Sequence, residues 1–572
     1  MTNNGIIEAG VNADNSRNAT GDISITAQNV NNAGKSVIAS RDLKVTTTQT
    51  LNNQGGTLSA QQQTVVTAGT LDNRNQGRVL SADSLNLTAD TVLNGQGGLI
   101  NSAGQLTATL GYLNNNAGEV SSKTNSTLIL GTMDNLTGLI MAENTLDITA
   151  SGAVNNQGGR IGSNQVLLFK GQSLDNIGKG RITAQQRLEL SASHLDNSTG
   201  SLITNGPLTL TADTVDNAQG RISSKDDLTA TVTTFNQQDG ALLTEGNLTL
   251  NGGSLDNSNA GLVSAKKLLV LNVDSIDNRA GEISSVQAVN LNGQKLNNSE
   301  GGKVLSDTAL GLKVAQVINQ SLINQSLGQL VSQGGRSERA SWLISSEGTL
   351  TAHSGSLDNS GGSFSSAGLL QLTSSGALVN QGGRLVTDGG IELHSASLDN
   401  RQKGTISGLG AVSINTGDFD NSHGGFDNSH GGFVSSADQL DLTATQLTNQ
   451  DGGRIGAAKA LTASVTGLDQ QGGQLNSDTS ISLDLNQGQL NNQGGLINAP
   501  LLVLKNLKGV NNRVNNQGGE ISSAQAFTLT ADSLNNDSGK VLSNQALTLR
   551  IDKALSSIKG MIAGGLAGCA RR

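Results

Sequence analysis

The chain has one cysteine in 572 residues, two prolines, one tryptophan and one tyrosine. A lone Cys569 excludes a stabilising disulfide framework. Aromatic residues make up 2%, so the rings that fill compact globular cores are missing. Charged residues are 14%, against about a quarter in ordinary domains, and the net charge is −9. No Lys/Arg cluster is dense enough to track phosphates and the base-stacking aromatics are lacking, so nucleic acid is not an expected partner. No apolar run is long enough for a transmembrane segment. The first residues, MTNNGIIEAGVNADN, do not read as a signal peptide, which needs a basic region followed by an apolar stretch.

What is present is glycine, 74 residues of it, with abundant Asn, Ser and Thr. Disordered chains share that composition, but disorder needs no apolar spacing, and here the spacing is strict. The stretch LDNRNQGRVLSADSLNLTAD (71–90) returns in near-copy about every 20 residues. Its marker is an apolar residue, any residue, then Asn or occasionally Gln. The first position reads as Val30, Leu51, Leu71, Leu93, Leu113 and onward to Leu296, at gaps of 20 to 22, and resumes from Leu357 to Leu534. A fixed period of this size is the signature of a solenoid.

Within one unit the apolar residues alternate with period two, the strand period. Three runs recur: Leu71-x-Asn73, Val79-x-Ser81 and Leu85-x-Leu87-x-Ala89, then Leu174-x-Asn176, Ile182-x-Ala184 and Leu188-x-Leu190-x-Ala192. The expected fold is all-β: a parallel β-helix of about 25 coils, each of about 20–21 residues with three short strands. At about 4.8 Å per coil this makes a rod of about 120 Å. Leu stacks on Leu, and Asn on Asn as an amide ladder along the axis. Gly in QGG supplies positive φ at corners. Proline should stand only at strand starts, where Pro207 and Pro500 fall.

The repeats cover 1–302 and 347–550. Between them, 303–346 reads as an irregular insertion or degenerate coils, and 551–572 as a non-repeat tail, a short helix capping the open end. In 313–346, Val314, Val317, Ile318, Leu322, Leu327, Leu330 and Val331 approach a helical stripe, while the tandem INQSL-INQSL reads equally as a degenerate turn. The segment is a tolerated insertion or a binding protrusion. Because function tends to sit on what departs from a scaffold, Arg336, Glu338, Arg339 and Trp342 are candidate receptor contacts. FDNSHGG, duplicated from Phe419 to Gly432, and VNNR (510–513) are smaller corner insertions.

No catalytic or cofactor constellation is legible. His423 and His430 hold equivalent places in the duplicate, and a copied surface loop explains them as well as a shared metal does. Asp72, Asp134, Asp175, Asp196, Asp216, Asp256, Asp277, Asp358 and Asp399, mid-marker, read as a solvated acidic face opposing lateral aggregation. Arg78, Arg160, Arg221, Arg384 and Arg454 follow a corner Gly in a slot that Glu119, Glu282 and Glu520 fill elsewhere, so the surface is mixed and not an anion site. Leu566-Ala567-Gly568-Cys569 spells a lipobox at the wrong end of the chain and reads as coincidence.

Repeats such as LDNSTGSLITNGPLTLTADTVDNAQGRISS (195–224) and LNNQGGTLSA (51–60) resemble the haemagglutinin repeats of filamentous haemagglutinins and related exoproteins, over about residues 20–550. The resemblance implies a right-handed parallel β-helix exported through an outer-membrane two-partner-secretion transporter. It also implies an adhesin, or the stalk of a contact-dependent growth-inhibition toxin. The implied partners are a host-cell or bacterial surface receptor or glycan, and that transporter. The chain reads as the repetitive shaft alone, secreted or on the cell surface when attached to an upstream export domain. A carbohydrate-active β-helix enzyme would need long loops building a cleft, and the corners here are mostly too short.

Overall fold

In a computed structural model the described residues are 1–320, 343–423, 431–507 and 513–565. They are all-β, with no helix, and the strands pair in parallel throughout; one isolated antiparallel bridge joins Val11 to Arg17. The chain is a β-solenoid of about 24 turns. It divides into two compact units, Met1–Val273 and Asp274–Arg572.

In the first unit a typical turn holds the short strand Arg78–Ser81 and the long strand Ser84–Leu93. Each stacks on its counterpart one turn on, Leu99–Ser102 and Leu106–Asn114. The long strand is two straight runs joined at a bend: Ala89 faces Leu110 and Thr91 faces Tyr112, while Asp90 is left out of the ladder. In the second unit the bend often breaks the strand outright, as in Thr349–Ser354 and Ser356–Asp358, giving three strands per turn. The three apolar runs of the sequence are thus the three sides of each turn.

The core is a column in which apolar side chains recur at the same places in every level. Leu71, Val92 and Leu113 stack in register, as do Val79 and Ile100, and Leu85 and Leu106, all essentially inaccessible. With apolar side chains stacked at strand spacing, aliphatic residues fill most levels and a ring enters at only a few, as at Phe235, Phe364 and Phe419. Both prolines stand just before a strand, Pro207 ahead of Leu208–Asp216 and Pro500 ahead of Leu501–Lys505, where no ladder N–H is lost.

Four expectations are corrected. The marker read at Leu93 belongs to Val92: Val92 is buried between Leu71 and Leu113, and Leu93 sits at the half-exposed middle position. The helical stripe is not helical where it is described. Val314, Val317 and Ile318 lie in the strand Ala309–Ile318, whose Val317 stacks between Leu296 and Leu357. Val317 is therefore a further marker position, and the interval Leu296–Leu357 holds two turns.

Within 303–346, Lys303–Ser306 and Leu343–Ser346 pair directly with each other. The intervening 321–342 is thus inserted at one corner without disturbing register. The tail also continues the coil. Leu547–Ser556 stacks on Phe527–Asn535, and Met561–Gly564 on Lys540–Ser543. No capping helix occurs among the described residues, because Leu555-Ser556-Ser557 still serves as a marker with Ser in the Asn place.

Candidate functional site

Corners decide what each turn presents, and the corner after the marker is built from three residues. The first is the buried asparagine. Asn53 Nδ2 donates to Asn73 Oδ1 at 2.7 Å, Asn73 to Asn94 at 2.7 Å, and Asn94 to Asn115 at 2.8 Å. Each Nδ2 also reaches backbone carbonyls, such as Asn53 to Gly56 and Arg78, so both amide hydrogens are used. The bond always runs from one turn to the next in sequence. The second unit repeats this, from Asn319 to Asn359, Asn380, Asn400, Asn421 and Asn449 at 2.7–2.8 Å. At the last described turn Asn536 Nδ2 donates to Ser557 Oγ, 3.1 Å.

The second is the mid-marker Asp or Asn. Its Oδ1 accepts the N–H two residues on, closing the corner as an Asx turn. Ile177 N–H bonds Asp175, Ser198 bonds Asp196 and Ala218 bonds Asp216, at 2.9–3.1 Å. Asn155 does the same for Gln157, 3.0 Å. The acidic stripe is therefore corrected: these carboxylates face their own corner, apart from Asp134, whose Leu136 N–H bonds Asn116 instead, and Asp72 is buried. Arg74, Arg279 and Arg401 clasp Asp72, Asp277 and Asp399 at 2.7–2.8 Å. Burial pushes the Asp399 carboxyl up, but Arg401, Gln381 and the Arg401 N–H together hold it below the ordinary value. Asp72 and Asp277 are lowered against the same opposition.

The third is glycine. In QGG the first Gly carries the positive φ, as at Gly97 (+78°), although Ala117 and Thr137 fill the same place with positive φ. The second Gly is needed for closeness. A Cβ on Gly118 would fall onto the Asn94 carbonyl oxygen and 2.8 Å from Asn115 Oδ1. The opposite corner is held by the last residue of the short strand: Ser81 Oγ lies 2.6 and 2.7 Å from the carbonyl oxygens of Gln62 and Ser84, and its single hydrogen can be donated to either.

Arg336, Glu338, Arg339 and Trp342, the candidate receptor contacts, lie outside the described residues, as do His430 and the lipobox-like tetrapeptide. Their flanks place the insertion: 321–342 begins just after Asn319, and 424–430 just after Asn421, both at the asparagine corner. Across the second interruption Thr405–Gly408 still pairs with Phe433–Ser436. The outward face of the short strands between these points is a shallow groove of about 510 Å³ lined by Ser365, Arg384, Thr405, Ser407, Leu409 and Phe433.

No group of three or more His, Cys, Asp and Glu side chains comes together as metal ligands among the described residues. Tyr112 donates to Asp134 Oδ2 at 2.6 Å, and burial first, then that carboxylate, pushes its pKa up to about 12. This pairing holds two neighbouring turns together at the surface.

The family described as haemagglutinin repeat matches residues 8–75, 39–109, 80–192, 187–252, 244–351, 339–382, 379–429, 427–500 and 482–552. The chain belongs to the haemagglutinin-repeat family. No curated protein and no solved structure matches it. Proteins built of haemagglutinin repeats are structural and adhesin-like rather than enzymatic, and typically secreted or surface-exposed. The match boundaries run through 303–346, in keeping with the haemagglutinin-repeat turns found on either side of the insertion.

Proposed function

We propose that this chain is a shaft segment of a secreted or surface-exposed bacterial adhesin. It holds contact surfaces at fixed intervals and binds a receptor or glycan on a host or bacterial surface. The observation that carries the reading is the asparagine ladder through haemagglutinin repeats, interrupted at Gln237 and Gln470, with outward positions varying more widely than the apolar inward ones. A repeated scaffold of this kind multiplies weak contacts, since binding at one turn raises the effective concentration at the next. Export through a two-partner-secretion transporter in the outer membrane belongs to the same proposal.

Purified chain, fluorescently labelled, should bind epithelial or bacterial cells saturably and be displaced by excess unlabelled chain. Fragments carrying fewer turns should bind more weakly than in proportion to their length. Unsaturable binding, or none, on every cell type would reject adhesion and leave a passive stalk.

A further inference from the structure

We propose that Asn205 is a site of spontaneous covalent modification: its side-chain amide is lost to attack by the backbone nitrogen of Gly206, and a carboxylate takes its place on the outer surface. Asparagine followed by glycine is the pair in which this ring closure is least hindered, because no Cβ stands beside the attacking nitrogen. The chain has five such pairs, beginning at Asn4, Asn94, Asn205, Asn251 and Asn292. Their surroundings set them apart. Asn94 belongs to the ladder: it is inaccessible, its Oδ1 accepts from Asn73, and its Nδ2 is held by Gly98, Asn115 and Glu119. Asn251 and Asn292 lie inside the long strands Leu248–Asp256 and Ala288–Asn297, where Gly252 pairs with Val232 and Gly293 with Val314. An extended backbone turns the following nitrogen away from the side-chain carbon, so the ladder must open before the ring can close.

Asn205 stands exposed on the corner between the strands Ser201–Thr204 and Leu208–Asp216, outside both. Its Nδ2 donates across the surface to Gln185 Oε1. The Gly206 N–H, which must attack, donates to the Thr204 hydroxyl at 3.1 Å, a side-chain bond that can be given up without opening a strand. The fold itself demands the glycine, since a Cβ there would fall onto the Gln186 carbonyl oxygen. Asn4 meets the same conditions. It is exposed ahead of the strand Ile6–Ala9, the Gly5 N–H bonds the Asn3 side chain at 3.0 Å, and nothing packs against Gly5.

In the step, the Gly206 nitrogen gives up its proton and bonds Asn205 Cγ, the Cγ–Nδ2 bond breaks, and ammonia leaves with that proton. Water then opens the cyclic imide. Opening at the side-chain carbonyl leaves aspartate. Opening at the main-chain carbonyl leaves isoaspartate, with an extra methylene in the backbone. The new carboxylate stands next to the place of Lys225, whose N–H bonds the Thr204 carbonyl one turn below. That column continues through Glu245 and its partner Lys266 at 3.0 Å, so conversion extends an alternation of charge already present along this corner.

The test is incubation of the folded full chain at mildly alkaline pH, followed by peptide mapping by mass spectrometry and labelling with an isoaspartate-specific methyltransferase. Asn205 and Asn4 should convert, faster as pH rises. The amides at 94, 251 and 292 should convert at least about tenfold more slowly, since each waits on local opening. In denaturing urea the five rates should draw together. Asn205→Gln keeps an amide at the corner but moves its carbon out of reach, so it should abolish the label on that peptide and leave the circular dichroism unchanged. Conversion of Asn205 in the folded chain no faster than that of Asn94, or seen in urea alone, would overturn the proposal. A ranking that survives unchanged in urea would belong to the sequence rather than the fold and overturn it as well.

Discussion

Asparagine at the third marker position must offer an acceptor to the turn before and a donor to the turn after, from inside a corner that water does not reach. Few side chains do both. Gln237 and Gln470 accept from the preceding Asn but send their own Nε2 to the backbone carbonyls of Leu262 and Leu496, and Asn492 Oδ1 is left without a partner. The neighbouring glycine is constrained as tightly. Gly118→Ala should destabilise its turn by about 1–3 kcal/mol through overpacking, whereas Gly97→Ala, with Gln76 Cγ 3.4 Å away and Ala117 already tolerated at positive φ, should cost no more than about 1 kcal/mol. Hydrogen exchange of the two corners, compared in the two variants, measures the difference. The mid-marker Asp supplies a pH prediction. Because the folded pKa of Asp399 lies below its ordinary value of 3.8, its contribution is complete above that value and is lost as pH falls through the lowered one. Exchange at the Arg401 N–H should therefore quicken on acidification below about pH 4, and Asp399→Asn should remove that dependence while leaving the Asx turn closed, as Asn155 does.

Strands this short have little stability alone and depend on the levels above and below. Leu190, buried between Phe169 and Leu210, tests that dependence. Leu190→Asp should open the column locally, with new protease cuts confined to the turns around it; an unchanged digestion pattern would contradict the inside/outside assignment. At this scale the sequence was largely readable. Period-two alternation marked every strand of the turn Leu71–Leu93, and proline placement agreed. It misled where apolar residues adjoin without alternation. Val92-Leu93 and Val317-Ile318 each offer two candidates for the buried place, and only the Asn that follows at 94 or 319, through its ladder bond, selects the first. The role of Asp was also hidden. Its exchange with Asn at the same position, at 155 and 52, was the available signal, since a residue kept for charge would not alternate with a neutral acceptor. Nothing in composition distinguishes a Gly needed for φ from one needed for closeness.

For the whole molecule, repetition makes the turn the unit of change. Stability in such a stack is roughly a sum of turn and interface terms, so length can vary in whole turns without penalty to what remains. Deleting residues 197–216 removes one level and joins Asp196 to Asn217, restoring the marker. That variant should keep its strand signal and protease resistance, while deleting 197–206 alone should abolish both around the junction, as circular dichroism and limited digestion would report. The insertion at 321–342 is the natural counterpart, leaving Asn319 bonded to Asn359 across it. The ladder has one more property, its direction. Every amide in it points the same way, donor toward the later turn, so a stack completed only part-way along the chain ends in hydrogens that have no acceptor until the next corner closes. A polypeptide delivered from its amino end meets those waiting donors in order, and each closure creates the next. The same bonds give assembly an arrow, and a coil begun from the other end would find acceptors and no invitation to fill them.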